Sequence, residues 1–281
     1  MIEALLWDVD GTLAETERDG HRPAFNDAFA SMGLPWSWSE ARYGELLRVT
    51  GGRERILSDL PTHADAPATA PEREALAREL HRRKNIAYER RLAEGAITLR
   101  PGVRELLEEA ATRGLRQAIV TTTSRANVAA LLRHALGPMG PTGRFARPLF
   151  ELAVCGEDVV AKKPDPEAYT QALQRLALPP RATLALEDSP AGVAAAGAAG
   201  VAVVVTRSAY FEADTVAGAL AVGPGLHTRA GWQPVPPALG AGPGRITLGD
   251  LLAWQAGHDF ASSEAPRSAG QPAGWQHSKL P

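Results

Sequence analysis

Cysteine is almost missing from the 281 residues: Cys155 stands alone, so neither an internal disulfide nor a thiol-rich metal site can form within the chain. Its expected place is that of a small buried apolar residue. No apolar run approaches the roughly 18 residues of a membrane span. The first residues also lack a basic stretch leading into a secretory core, and the expectation is a cytoplasmic protein. An excess of charge of one sign is missing too. Lys and Arg number 30 against 32 Asp and Glu, and a net charge of −2 gives no global attraction to nucleic acid or to an anionic membrane. Gly192, Gly197 and Gly200 do not match a dinucleotide fingerprint, which argues against Rossmann-type cofactor binding. What is present, 44% hydrophobic and 22% charged residues, is ordinary globular composition, enough for one large domain or two smaller ones.

The chain is organised around its first dozen residues. An apolar stretch over 4–7 reads as a short buried strand, ended by Asp8-Val9-Asp10-Gly11-Thr12. Two carboxylates two residues apart thus stand at the mouth of a strand, where open parallel sheets bind ligands. An aspartate can accept a phosphoryl group as a nucleophile, and hard Mg2+ prefers oxygen ligands. Asp8 therefore reads as nucleophile and metal ligand, and Asp10 as a general acid and base. Asp and Gly are equally ordinary turn residues, so the pair alone also fits an acidic turn after a strand.

Residues 14–97 carry no convincing strand. Helices are expected over 22–32, 39–49, 53–60 and 72–93, separated by Pro35, the Gly51-Gly52 break and a Pro/Ala loop over 61–71. From residue 98, strands expected over 117–120, 152–155, 183–186 and 201–205 alternate with helical segments. That alternation predicts parallel βαβ units. Residues 137–148 read as a Gly/Pro/Arg loop, 246–255 as a last amphipathic helix, and 257–281 as a disordered tail.

Three further stations follow strand ends. Thr121 comes directly after the second strand, where a hydroxyl and neighbouring amides can hold phosphate oxygens. Lys163 lies in Lys162-Lys163-Pro164-Asp165-Pro166, and Glu187-Asp188-Ser189 closes another apolar strand. Singly they also fit a polar loop, a solvated lysine and a helix cap. In this order and spacing they resemble the haloacid dehalogenase-like (HAD) hydrolases, mostly Mg2+-dependent phosphatases and phosphomutases that work through an aspartyl-phosphate. The resemblance implies an α/β, Rossmann-like doubly wound core over 1–13 and 98–256, with a small all-helical cap over 14–97. It makes Asp8 the nucleophile, Asp10 the acid/base whose backbone carbonyl also meets the metal, Thr121 the phosphate-binding hydroxyl and Lys163 the charge-neutralising lysine. Asp8, Asp10, Glu187 and Asp188 would hold Mg2+.

The position of the helical insert is similar to that in the β-phosphoglucomutase-like branch. Glu15-Thr16-Glu17, Asp19-Gly20-His21-Arg22 with Phe25-Asn26, Tyr43-Gly44-Glu45-Leu46-Leu47 and Gly51-Gly52-Arg53-Glu54-Arg55 bring it nearer still to the CbbY type. Those enzymes are xylulose 1,5-bisphosphate phosphatases linked to Rubisco-based carbon fixation, where they remove an inhibitory sugar bisphosphate. The resemblance implies substrate contact by Glu17, His21, Gly51, Gly52, Arg53, Glu54, Arg55, His81, Arg82, Lys84, Thr122, Thr123, Ser124 and Asn127. It departs from the branch at Trp7 in place of Phe and at Arg53 in place of Lys. The expectation is a monomeric phosphatase of a small phosphorylated sugar, without nucleic-acid or membrane partners. A β-phosphoglucomutase-like mutase, a 2-phosphoglycolate-type phosphatase and a catalytically silent binding module on the same fold are the alternatives.

Overall fold

In a computed structural model of the chain, residues 2–136, 149–236 and 244–264 are described. Six parallel strands form one sheet in the order β3-β2-β1-β4-β5-β6. They are β1 (Ala4–Trp7), β2 (Arg116–Val120), β3 (Leu152–Val154), β4 (Thr183–Glu187), β5 (Ala202–Thr206) and β6 (Ala221–Gly223). The first strand lies at the centre, with Ala4 opposite Arg116 on one side and Thr183 on the other. Every side chain of β1 is buried, as expected of a strand covered on both faces. Leu5 and Trp7 enter one cluster with α5 (Val103–Thr112), α6 (Arg125–Ala135) and α9 (Leu248–Glu264). Ala4 and Leu6 enter another with α7 (Glu167–Leu176) and α8 (Pro190–Ala198). Helices on both faces of a parallel sheet make the α/β, doubly wound architecture that the alternating pattern predicts. Trp7 fills the first cluster and satisfies its indole by donating to Gln117 Oε1 at 3.1 Å.

Two elements differ from expectation. The edge strand β6 has only three residues, too few for a periodic signal, and was not anticipated. The last helix runs to Glu264, beyond the point at which the tail was expected to begin. The rest of that tail, 265–281, and the loop expected over 137–148, from Gly137 on, lie outside the described residues.

Between β1 and α5 the chain is helical. A π-helical turn (Glu17–His21) leads into α1 (Arg22–Ser31), followed by α2 (Glu40–Leu46), α3 (Gly52–Asp59) and α4 (Ala70–Ala93). Thr69 and Glu72 cap α4 reciprocally, a start signal that lies inside the stretch read as a loop. This long helix serves two cores. Ala77 and Leu80 pack with Phe25, Phe29, Trp38 and Tyr43, whereas Tyr88 and Leu92 join the sheet's first cluster beside α6.

Asp59 ties the helical region together. Its buried carboxylate accepts from Trp38 Nε1 at 2.5 Å and from Arg42 at 2.5 Å, and meets His63 Nε2 at 3.0 Å. Burial alone would raise its pKa, but these hydrogen bonds outweigh burial and lower it. Asp59→Ala is expected to cost on the order of 2 kcal/mol in urea unfolding, because the buried Trp38 indole loses its acceptor. A depressed folded pKa means that the contribution is complete above the unfolded carboxylate value and is lost as pH falls through the folded one. The difference between wild type and variant should therefore shrink below about pH 4. An unchanged difference at pH 3 would show that the charge of Asp59 is irrelevant.

Candidate active site

The carboxyl ends of β1, β2 and β4 lie side by side at the centre of the sheet, where strand order reverses and ligands bind. Asp8 leaves β1 with its amide bonded to Leu186 O at 3.0 Å, which sets it beside Glu187 and Asp188. Lys163 reaches into the same place. Its ammonium donates to Asp8 Oδ1 at 2.8 Å, Val120 O at 2.8 Å and Glu187 Oε1 at 2.7 Å, so all three of its protons are used. Tyr169 also donates to Glu187 Oε1, and Ser208 donates to Asp188 Oδ2 at 2.6 Å. Gly11 is required here twice over. Its φ is +84°, and a Cβ on it would stand 2.0 Å from Asp188 Oδ2.

The electrostatics of this group are unbalanced. Burial, with Lys163 opposing and Glu187 and Asp10 reinforcing, pushes Asp8 up to about 7. Burial and the neighbouring Asp8 charge likewise raise Asp188 well above the carboxylate range. Lys163 is raised, since the attraction of Asp8 and Glu187 exceeds the cost of its burial. Three buried carboxylates against one ammonium are short of positive charge. Oxygens of Asp8, Glu187 and Asp188 all lie within 4.8 Å of one another, and Glu187 Oε2 is buried with no hydrogen-bond partner among the described residues. Such a donor set, all oxygen and hard, fits a divalent cation.

Asp10 has a different environment. Its Oδ1 accepts from Thr16 Oγ1 at 2.5 Å and meets His21 Nε2 at 3.0 Å. Burial would raise its pKa, but the charge and hydrogen bond of His21, with Thr16, lower it to about 2. Two aspartates two residues apart are thus driven in opposite directions, Asp8 upward by burial beside other carboxylates and Asp10 downward by its histidine and threonine partners.

Two adjoining cavities open above these groups. One, of about 270 Å³, is lined by Asp8, Asp10, Lys163 and Asp188 together with Ser189 and Arg55. The other, of about 360 Å³, is lined by His81, Lys84, Arg53, Glu54, the 122–124 loop and Asn127. Asp10, Glu17, Gly51, Arg55 and Thr122 line both.

A family model for haloacid dehalogenase-like hydrolases matches residues 2–200. The chain is an HAD-like hydrolase. It is an enzyme, and its kind is that of the HAD phosphatases. It is 46% identical over 216 residues to the protein CbbY of Rhodobacter capsulatus, covering 76% of this chain and 88% of that one. CbbY of Cupriavidus necator is 40% identical, over 91% of this chain and 98% of its own length. The crystal structure of CbbY from Rhodobacter sphaeroides in complex with phosphate superposes with a TM-score of 0.69 at 43% identity, covering 78% of this chain and 92% of that one.

In this HAD hydrolase, most of the residues singled out from sequence meet at the two cavities, but three stand elsewhere or in another role. Arg82 points away: its side chain is 58% exposed and paired with Glu79, because a residue next to His81 on a helix is turned about 100° from it. Thr121 is buried below the cavities, with Oγ1 accepting from the Thr123 amide at 3.2 Å, while Thr122 lines both. Glu187 lines neither cavity and stands beside Asp8 and Asp188 in the acidic group that can hold a cation. Glu17, Arg55 and Tyr43 form a triad, in which buried Tyr43 donates to partly exposed Glu17 and accepts from buried Arg55 at 2.6 Å. His81 is lowered to about 4 by burial and the nearby Lys84 charge, and Lys84 to about 8 by burial, opposed by Asp10 and Glu17. Sequence reasoning gave no role to Lys162, whose ammonium reaches Glu54 Oε1 at 2.8 Å in the lining of the larger cavity. It missed Thr16, Tyr169 and Ser208 as well. Lys162 adjoins Lys163 and Thr16 lies within Glu15-Thr16-Glu17, whereas Tyr169 and Ser208 carry no local signal.

Proposed function

We propose that this HAD hydrolase is a Mg2+-dependent phosphatase that converts a ketopentose 1,5-bisphosphate, xylulose 1,5-bisphosphate, to xylulose 5-phosphate and inorganic phosphate. The second cavity carries this reading. The groups around Asp8 account for one phosphate, and Arg53, Arg55 and Lys84 beside the adjoining space offer cations for another. The sugar is the one bound by a mutant of R. sphaeroides CbbY, which is 42% identical to this chain. In the same reading, residues 14–97 act as a cap on a core made of 1–13 and 98–256.

Asp8, Glu187, Asp188 and the Asp10 carbonyl would hold Mg2+, which supplies the positive charge that lets a carboxylate approach a phosphate. A carboxylate oxygen of Asp8 attacks phosphorus and the bond to the sugar oxygen breaks. Asp10 starts as an anion. As the approaching phosphate raises its proton affinity, Asp10 takes one proton from solvent water and passes it to the leaving sugar oxygen. The transferred group is then an aspartyl-phosphate whose charge Lys163 offsets. Asp10 next takes a proton from water as that water attacks phosphorus, which frees Asp8 and inorganic phosphate. Thr122 and its neighbours are placed to orient the phosphate, while binding energy from the distal phosphate holds the reacting end in line.

Phosphate release from a panel of sugar mono- and bisphosphates, with and without Mg2+, tests this. The expected result is a kcat/KM for the ketopentose bisphosphate at least ~100-fold above its monophosphate, since a lost buried ion pair is worth about 3 kcal/mol. Equal turnover of both would indicate a broad phosphatase, and return of the phosphate to another sugar hydroxyl a mutase. Arg55→Ala should remove most of the preference while sparing hydrolysis of p-nitrophenyl phosphate. If both activities fall together, Arg55 serves the reacting phosphate instead.

A further inference from the structure

The cap enters and leaves the sheet at neighbouring points. Ala14 bridges to Leu99, and the amide of Arg100 donates to Leu13 O at 2.8 Å. Arg100 itself plays no part in the chemistry described above, yet its side chain is only 9% exposed and lies among main-chain acceptors. One terminal nitrogen donates to Gly11 O, to Thr206 O at 3.0 Å and to Thr206 Oγ1 at 3.1 Å. The other donates to Arg207 O at 2.5 Å and Pro224 O at 3.2 Å. On its outer side, Nε pairs with Glu15 Oε1 at 3.2 Å.

These acceptors have something in common. Gly11 follows Asp10 and presses against Asp188, and Ser208, which follows Arg207, donates to that same carboxylate. The guanidinium therefore grips both chain segments that flank Asp188, from a residue at the exit of the cap. A lysine cannot replace it, because one ammonium has three donors and no planar fork. We propose that Arg100 is a positioning residue: it fixes the Asp10–Gly11 turn and the Arg207–Ser208 turn against Asp188, and so sets the carboxylate geometry in which the divalent cation and the transferred phosphate are held. This rests on the reading of Asp188 as a metal carboxylate and is independent of which sugar is the substrate.

Arg100→Lys provides the test, with p-nitrophenyl phosphate as a substrate too small to need the second cavity. Loss of such an outer partner commonly costs about 10–100-fold in metal affinity or activity. The expected result is a kcat reduced about 30-fold with KM changed less than threefold, and Mn2+ binding to the substrate-free enzyme, followed by electron paramagnetic resonance, weakened about tenfold. A residue that merely supports the fold would lower the melting temperature while leaving Mn2+ affinity and kcat of the folded protein within twofold of wild type; that outcome overturns the proposal. If Arg100→Lys does not fold, Glu15→Gln loosens the same guanidinium from outside, and it must weaken Mn2+ binding about threefold, with no change counting against the proposal. Wild-type turnover that needs no divalent ion would instead refute the metal-dependent mechanism, a result visible before any variant is made.

Discussion

Asp8→Asn is expected to abolish turnover and to leave the protein folded. The side chains have nearly the same volume, and the amide oxygen of asparagine can still accept from Lys163, which now donates to Asp8 at 2.8 Å. The buried ammonium therefore keeps its partners. In the proposed mechanism the change removes the nucleophile, and with it one negative charge facing the incoming phosphate. At an effective dielectric near 20, two unit charges 4 Å apart interact by about 4 kcal/mol, so substrate should bind at least as tightly as to the wild type. The loss in kcat is expected to exceed ~10⁴-fold, the scale seen when a covalent catalyst is removed. Calorimetric binding of the bisphosphate alongside single-turnover phosphate release checks both halves. Retention of even one hundredth of the activity would remove Asp8 from the nucleophilic role.

Lys163→Met should be inactive and also less stable. Methionine fills the space but leaves Asp8, Glu187 and the Val120 carbonyl without their donor, and breaking a buried pair costs about 3–5 kcal/mol. The cost depends on pH in a defined direction. Asp8 already has a raised folded pKa near 7, and a raised carboxyl favours the fold when protonated and disfavours it when ionised. Destabilisation by Lys163→Met is thus expected to be greater at pH 8 than at pH 5, and to be relieved in part by Mg2+ at pH 8. Urea unfolding at the two pH values, with and without the ion, measures it. A cost below 1 kcal/mol at pH 8 would mean that water, not Lys163, satisfies the carboxylates.

What was readable before the structure follows from the range of each interaction. Asp8, Lys163 and Glu187-Asp188 each stand next to an apolar strand or a proline, so a local pattern marks them, and their order along the chain names the family. Glu17 and Arg55 are marked only by the likeness of 15–17 and 51–55 to the CbbY type, Arg55 also by the Gly51-Gly52 turn beside it. Their meeting at Tyr43 depends on a contact between residues 26 apart, which no window along the chain contains. Asp59 was invisible for the same reason, as its partners Trp38 and Arg42 lie on a different element. The error over Arg82 is of another kind. A basic run on a helix marks every side chain alike, whereas the helix turns each to a different direction. The capping box at Thr69 was legible in principle but lay among prolines and alanines that spoke for a loop.

The divided loyalty of α4 limits how the site can open. Its first half is packed in the helical region and its second half, through Tyr88 and Leu92, in the core beside α6. A motion that lifted the whole helix would wet two large side chains at about 1.5–3 kcal/mol each. Such a state would hold roughly one molecule in 10² to 10⁴ at equilibrium. An opening that tilts about the α4–α6 contact would keep both side chains buried, and the Lys162–Glu54 pair is a contact such a tilt is expected to break. That pair is partly exposed to water, so release should quicken with ionic strength while the pivot does not change.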